Sequence, residues 1–331
     1  MRMERMLRHA ARLTLLQVRE TARWLSGWQY ALWRITGPLR AKETVSILFS
    51  GRDDVARAVC LTFFPSGASE LTRIESSHPF RVARIAGAQA NGAAPDLLVQ
   101  QTPPWGCSSA PGDLVFQPCI ETVCKLPSCI ETYVNSLDHQ MKSKARKALK
   151  LPVRFSRSRE LIDLEMLHRD MLLPFAKERH GECCDGVPLD ELKREWSRCH
   201  ITFVENLDGQ RIGGIVVYHS RQFRVWYLLR IGFPPDVSSE RSICDLLNLA
   251  LFMEVTREAI ASGIELLYYG KVTPRKNNGL LVRQIRMGCR PELADGHPCC
   301  SLRVLTEKGR ALIADCQPLR IENGRLVDSD L

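Results

Sequence analysis

The run from Lys271 to Arg290 holds six cations, Lys271, Arg275, Lys276, Arg283, Arg286 and Arg290, and no acid. Inside it Pro274-Arg275-Lys276-Asn277-Asn278-Gly279 reads as a loop, with Asn277 and Asn278 able to orient a polar group and Gly279 able to permit a close turn. Clustered guanidinium and ammonium groups suit a phosphate, a carboxylate or an oxyanion that develops during a reaction. A second run, residues 142–159, carries eight cations and no acid, among them Lys144, Arg146 and Lys147. It lacks the i,i+4 acidic partners of a merely solvated helix. His180 is the third feature: an imidazole titrates near neutral pH and can serve as a general base. Beside Arg179 and Gly181, at a helix end, the same residue also suits a cap. No Gly-x-Ser-x-Gly elbow and no Cys/His nucleophile signature stands out.

The positive charge is local. Residues 1–40, 142–159 and 271–290 are net +6, +8 and +6, so a chain of formal charge +9 is −11 elsewhere. Local basicity points to anionic partners rather than to general solubility. Thirteen cysteines include the vicinal pairs Cys183-Cys184 and Cys299-Cys300, but none forms the CxxC pairs of a zinc site, and no metal is expected. With no secretory leader pattern at residue 1, a reduced cytoplasmic protein is expected. Neither a helix-turn-helix nor a zinc-finger pattern supports sequence-specific nucleic-acid reading.

The elements that must position these residues follow from hydrophobic spacing. At 100° per residue Arg5, Arg8, Arg12, Arg19 and Arg23 share an arc of about 60°, opposite Leu7, Leu13, Trp24 and Trp28. Residues 1–40 therefore read as a basic amphipathic helix closed by Gly37-Pro38. It is too polar to span a bilayer, and through residues 1–35 it could rest on the inner face of a membrane as a peripheral contact or pack on protein. Residues 41–127 read as short strands, Val45 to Phe49, Ala58 to Phe64, Asp96 to Val99 and Leu114 to Gln117, between Gly, Pro and Ser. From Ser128 a helical stripe runs to Lys150 and stops at Pro152. A helix over Leu161 to Arg179 follows, then a short one from Pro188 to Trp196. A hairpin comes next, Ile201 to Glu205 and Ile212 to Tyr218, turning at Asn206-Leu207-Asp208-Gly209. After it come a strand at Phe223 to Leu229, a long helix capped by Ser238 or Ser239, and a buried strand at Ile264 to Tyr269.

Helix, helix, hairpin, strand, long helix, strand, basic loop is the element order of a GNAT acyltransferase lobe. Residues 128–308 resemble the lobe of the Fem-type and exopolysaccharide-associated acyltransferases, in which two such lobes are fused. The resemblance rests on Ser143 to Lys150, Leu173 to Gly181, Phe203-Val204-Glu205 to Gly213-Gly214, and Tyr269-Gly270 running to Asn278-Gly279-Leu280 and Met287-Gly288. It implies an α/β fold of two GNAT-like mixed sheets flanked by helices. Residues 41–127 would form a degenerate first lobe and residues 128–331 the acyltransferase lobe.

The resemblance further implies transfer of an acyl group from acyl-CoA or aminoacyl-tRNA, as co-substrate and not as bound cofactor, to an amine or hydroxyl. The acceptor would be a cell-envelope or polysaccharide precursor, an anionic small molecule or a carrier-linked one. In that scheme His180 is the base, and Lys271 and Arg286 stabilise charge. Lys144, Arg146, Lys147, Arg275, Lys276 and Arg283 hold phosphate, and Asn277, Asn278 and Gly279 shape the acceptor end. Two departures stand out. The turn Gly232 to Arg241 has one Gly and two prolines where GNAT enzymes carry a Gly-rich pyrophosphate turn. Gln284 stands where Fem-type relatives often place a Lys. Both also fit a module of another class, which binds anionic membrane or nucleic acid without turnover.

Overall fold

The computed structural model describes residues 30–39, 43–64, 69–76, 95–102, 112–180, 188–220, 224–294, 297–322 and 325–327; the side chain of His180 lies outside this set. The strands are β1 (Tyr30–Leu39), β2 (Glu43–Arg52), β3 (Glu70–Ser76), β4 (Leu97–Gln101), β5 (Leu114–Phe116), β6 (Ile120–Lys125), β7 (Arg154–Ser158), β8 (Cys199–Glu205), β9 (Arg211–Ser220), β10 (Val225–Gly232), β11 (Leu266–Val272), β12 (Arg290–Leu293), β13 (Cys300–Val304), β14 (Arg320–Glu322) and β15 (Arg325–Val327). The helices are α1 (Asp53–Phe63), α2 (Ile130–Ser136), α3 (His139–Ala148), α4 (Leu161–Leu167), α5 (Leu173–His180), α6 (Leu189–Arg194), α7 (Pro235–Ser238), α8 (Arg241–Ala261), α9 (Gly279–Arg286) and α10 (Glu307–Cys316). A π-helical turn, His168–Leu172, joins α4 to α5.

The fold is α/β, built on two mixed sheets flanked by helices, as expected. The chain falls into two compact units, residues 1–121, 271–282 and 291–331 in one, residues 122–270 and 283–290 in the other. In the first unit the strand order is β3-β1-β2-β4-β13-β5, with β2 and β4 parallel. Its core combines Ile47, Phe49, Val59, Phe63, Leu97, Val99, Leu302, Leu312 and Ile313, from the sheet, α1 and α10. Asp96 fastens the sheet to α10. Its carboxylate accepts Ser46 N–H at 2.8 Å and the Thr306 hydroxyl at 2.6 Å, while Thr306 caps α10.

The second unit is organised on β11-β10-β9-β8-β7, part of a seven-stranded order that begins β12-β6. Strands β7 to β10 are antiparallel and β10 to β11 is parallel, joined through α8. The face of α8 bearing Leu247, Ala250, Leu251, Val255 and Ala259 is buried with Val204, Ile215, Val217, Trp226, Leu228 and Leu267 of the sheet. Helix α3 joins this core through Met141, Ala145 and Ala148.

Several expectations need correction. Residues 30–39, placed in an N-terminal helix closed at Gly37-Pro38, form β1, and Pro38 pairs with Thr44. Pairing to β3 stops at Thr36 and Glu70, so at Pro38 the strand has one neighbour and tolerates a residue without N–H. Residues 1–29, which carry the arginine arc, lie outside the described residues. Ala58 to Phe64, read as a strand, belongs mostly to α1, where Val55, Ala56, Val59, Thr62 and Phe63 are buried at helical spacing behind Asp53 and Asp54. The stripe after Ser128 is two helices, because Asp138 breaks it and accepts Met141 N–H as the cap of α3. Ser238 does not cap α8, which begins after Glu240; it closes α7 and bonds Glu178.

Gly232 is the point where β10 ends against the π-helical turn. A Cβ there would lie 2.7 Å from Met171 C and 2.8 Å from Leu172 N, both backbone atoms that cannot step aside. Gly232→Ala should therefore destabilise the second unit by about 1–3 kcal/mol. Urea unfolding followed by far-UV circular dichroism tests this; an unchanged midpoint would mean that the close approach is not a constraint.

Candidate functional site

Parallel strands joined through a helix offer ligands the region beyond their carboxyl ends. Here the ladder between β10 and β11 has three pairs, Val225↔Leu266, Trp226↔Leu267 and Tyr227↔Tyr268, although both strands run further. A register shift between Leu228 and Arg230 on the β9 side marks a bulge at the same level. Gly270, at φ +91°, continues β11 past the parting, in a conformation that disfavours a side chain. Backbone groups of β10 beyond Tyr227 are thereby released from the β11 ladder.

Two arginines stand in this unit near the first turns of α8. Arg283 packs over the Phe252 ring at 5.6 Å, and its guanidinium makes no hydrogen bond or ion pair among the described residues. Burial pushes its pKa down, and Arg179 adds to this, while Asp245 acts in the opposite direction. Arg179 lies over Phe175 at 4.8 Å, 3.8 Å from Cys244 Sγ and 4.0 Å from Asp245 Oδ1. Asp245, Asn248 and Phe252, spaced i, i+3 and i+7, share a face of α8. Asn248 is 8% exposed, and its side-chain oxygen has no partner. A desolvated guanidinium beside another, with an unsatisfied amide on the same helix face, is an arrangement that an anionic or amide-bearing ligand would complete.

The backbone of the turn before α8 contributes less. The N–H groups of Val237 and Ser238 go to Pro234 O, that of Ser239 to Pro235 O and that of Glu240 to Val237 O. The proline turn is thus closed on itself as α7.

The other expected residues separate by unit. Arg286, exposed, donates to Gln140 Oε1 at 3.3 Å, which brings it to the first turn of α3. Along α3 runs an open depression of about 330 Å³ lined by His139, Lys142, Ser143, Arg146, Lys147 and Lys150. Lys144 is exposed outside that lining. His180 is the last residue of α5. In the first unit Lys271 is exposed, and its charge bears on Cys119 and His297. The amide of Asn277 accepts from Arg275 at 2.9 Å and donates to Asp315 O at 2.9 Å. Asn278 Oδ1 accepts Leu280 N–H at 2.9 Å, where α9 begins. Gly279 has open space around it, so its place is the first residue of a helix and not a close turn. Pro274 to Asn278 form the expected loop, with Asn278 N–H bonded to Arg275 O at 3.0 Å, and Gly279 opens α9, a helix not expected from the sequence.

Gln284 is 3% exposed and engaged at both ends: Thr122 Oγ1 donates to its Oε1 at 3.0 Å, and its Nε2 donates to Tyr269 O at 3.2 Å. Tyr133 donates to Met287 O at 2.7 Å and meets the Tyr269 hydroxyl at 3.2 Å. Burial pushes both phenol pKa values up, so these stay neutral. The network therefore fixes β11 at the parting and offers no charge. Sequence reasoning missed Arg179, Asp245 and Asn248 as site residues. The available signal was the place of Arg179 at the end of α5 and of Asp245 and Asn248 in the first turns of α8.

No protein-family model and no curated protein matches this sequence. Among solved structures the fold is similar to FemX, at 11% identity and TM-score 0.45 over 86% of each chain. It is also similar to L-PGS from Bacillus licheniformis, at 9% and 0.40 over 88% of this chain and 90% of that one. A third is the C-terminal domain of a putative lysylphosphatidylglycerol synthetase from Agrobacterium fabrum, at 10% and 0.39 over 92% and 93%. At these values the likeness assigns no residue a role.

Replacing Gln284 by Leu would leave the buried Thr122 hydroxyl without its acceptor and take a side-chain donor from Tyr269 O. The expected cost is about 1–3 kcal/mol. Chemical denaturation of the variant measures it, and a cost near zero would show that β11 is fixed by other contacts.

Proposed function

We propose that the chain is an acyltransferase, moving an acyl group from an activated donor, acyl-CoA or aminoacyl-tRNA, to an amine or hydroxyl. The acceptor is a cell-envelope or polysaccharide precursor that carries negative charge. The observation that carries this reading is the parting of β10 from β11 beside Arg179 and Arg283. An acyl donor of either kind combines a carbonyl with phosphate groups. The freed N–H groups of β10 suit the carbonyl and its developing oxyanion, and the guanidinium pair suits phosphate.

In the reaction the acceptor nitrogen or oxygen attacks the acyl carbon, and the bond to the donor's sulfur or ribose oxygen breaks. The acceptor's proton passes to His180, which then returns it to the leaving group. Lys142, Arg146 and Lys147 along α3, with Lys144 and Arg286 nearby, hold an anionic carrier. Lys271, Arg275 and Lys276 are further anion-binding cations of the first unit. A second reading, binding without turnover, is favoured by the self-closed turn over α7, which leaves few N–H groups for a pyrophosphate.

Thermal unfolding with acyl-CoA, aminoacyl-tRNA and nucleotide-sugars in turn separates the two readings. A true donor at ~100 times its dissociation constant stabilises by about 2.7 kcal/mol, and Arg283→Ala should abolish that gain. Stabilisation by no donor would remove the transferase reading. With the donor found, His180→Gln should slow the chemical step by roughly 10² to 10⁴ at unchanged melting temperature. Equal activity per folded molecule would make His180 a helix end and nothing more.

A further inference from the structure

Two histidines face each other in the second unit, both against Trp226 of β10. His200 Nδ1 of β8 lies 2.5 Å from His219 Nε2 of β9, with the rings 82° apart. His219 stacks on Trp226 of β10 at 4.6 Å and 17°, and His200 meets the same indole edge-on at 5.4 Å. Glu258 of α8 places Oε2 3.6 Å from His200 Nε2 and 3.3 Å from Thr202 Oγ1. Arg157 of β7 bonds Glu258 at 2.8 Å and lies 5.9 Å from the Trp226 ring. Arg159, just past β7, adds a further positive charge. Among the described residues these are the charged groups that bear on the pair, two cations from the β7 side and one carboxylate from α8.

A neutral pair satisfies a 2.5 Å nitrogen contact in one way only: one ring donates an N–H and the other presents a lone pair. When both rings take up a proton, no lone pair remains, and N–H faces N–H. Four cations then surround one carboxylate. His200 is 0% exposed and cannot turn out to water, so the half-buried His219 must leave, and with it the stack on Trp226. We propose that His200 and His219 form an acid-released latch that holds β8, β9 and β10 in register at Trp226.

The direction of titration agrees. Burial, with help from His200 and the two arginines, pushes His219 down to about 4, and burial also lowers His200. The closed state resists protons that an open state accepts from about pH 6.5 downward. The latch is therefore closed at neutral pH and weakens as pH falls from there toward 4. Trp226 is followed by Tyr227, the last β10 residue paired with β11, so release reaches the parting directly. Its effect on acyl transfer rests on β10 carrying the donor; the latch itself does not.

The test follows tryptophan emission and far-UV circular dichroism of the full chain from about pH 8 to about pH 3. The expected result is an emission step while circular dichroism stays native. The step should be absent in Trp226→Phe and in His219→Gln, and displaced toward neutral pH in Arg157→Gln, which removes a cation opposing protonation. A step that persists in His219→Gln overturns the latch. So does loss of emission and circular dichroism together at one pH. Should His219→Gln fail to fold, an unmoved or more acidic midpoint in Arg157→Gln overturns it equally. Donor stabilisation measured on either side of the step then reads the coupling. A step with no donor binding at any pH would count against the transferase reading and leave the latch standing.

Discussion

Three residue pairs hold β10 beside β11, and most of what is specific to the second unit depends on the ladder stopping there. Parallel strands normally continue pairing because each unsatisfied backbone group costs free energy when buried. Here the continuation is replaced on each side. On the β9 side the bulge near Leu229 redirects β10, and Gly232 seats its end on the π-helical turn. On the β11 side Gln284, Tyr133 and Thr256 supply side-chain hydrogen bonds around Tyr269. The opening is thus a built feature and not a frayed end.

The electrostatics follow from the same geometry. Arg179 reaches Cys244 and Asp245 from the last turn of α5, Arg283 lies over Phe252 from within α9, and neither has a full carboxylate partner to itself. The cations of α3 lie on the outward side of a helix whose inward side is Met141, Ala145 and Ala148. Burying those apolar residues against the core is what turns the charged side outward. At the far end of the sheet the opposite solution appears: His200 is buried neutral, with Glu258 and Arg157 paired beside it.

Much of the second unit was legible in the sequence, because hairpin, strand, long helix and strand each carry an unbroken periodicity and a Gly or Pro stop. The Asn206 to Gly209 turn forms with Gly209 at φ +81°, as the hairpin requires. Legibility failed where local chemistry had two meanings. Asn277-Asn278-Gly279 reads as a turn, yet Asn278 is a cap, and the helix behind it is short and half charged. Arg179 at a helix end suits the dipole, and only the fold brings Cys244 and Asp245, far along the chain, into its neighbourhood. Trp33 belongs to β1 and not to a helix because Arg34 and Ile35 alternate as a strand's faces do, a signal masked by the arginine spacing before it. No local pattern announces that Cys300–Val304 is an inner strand of a sheet begun at Tyr30.

That last placement governs the order in which the molecule can form. β13 lies between β4 and β5, and Thr306 bonds Asp96 across 210 residues of chain. On a ribosome the first sheet must therefore wait with β4 and β5 unjoined until its missing strand emerges, after the whole of the second unit, residues 122–270 and 283–290. Synthesis proceeds at about 5–20 residues per second, so the wait is on the order of 10 to 40 seconds. During it Leu97 and Val99 of β4 have apolar surface that only the late strand and α10 will cover. Strands β4 and β5 are thus made early and joined late, a long-range pairing of the kind that slows folding.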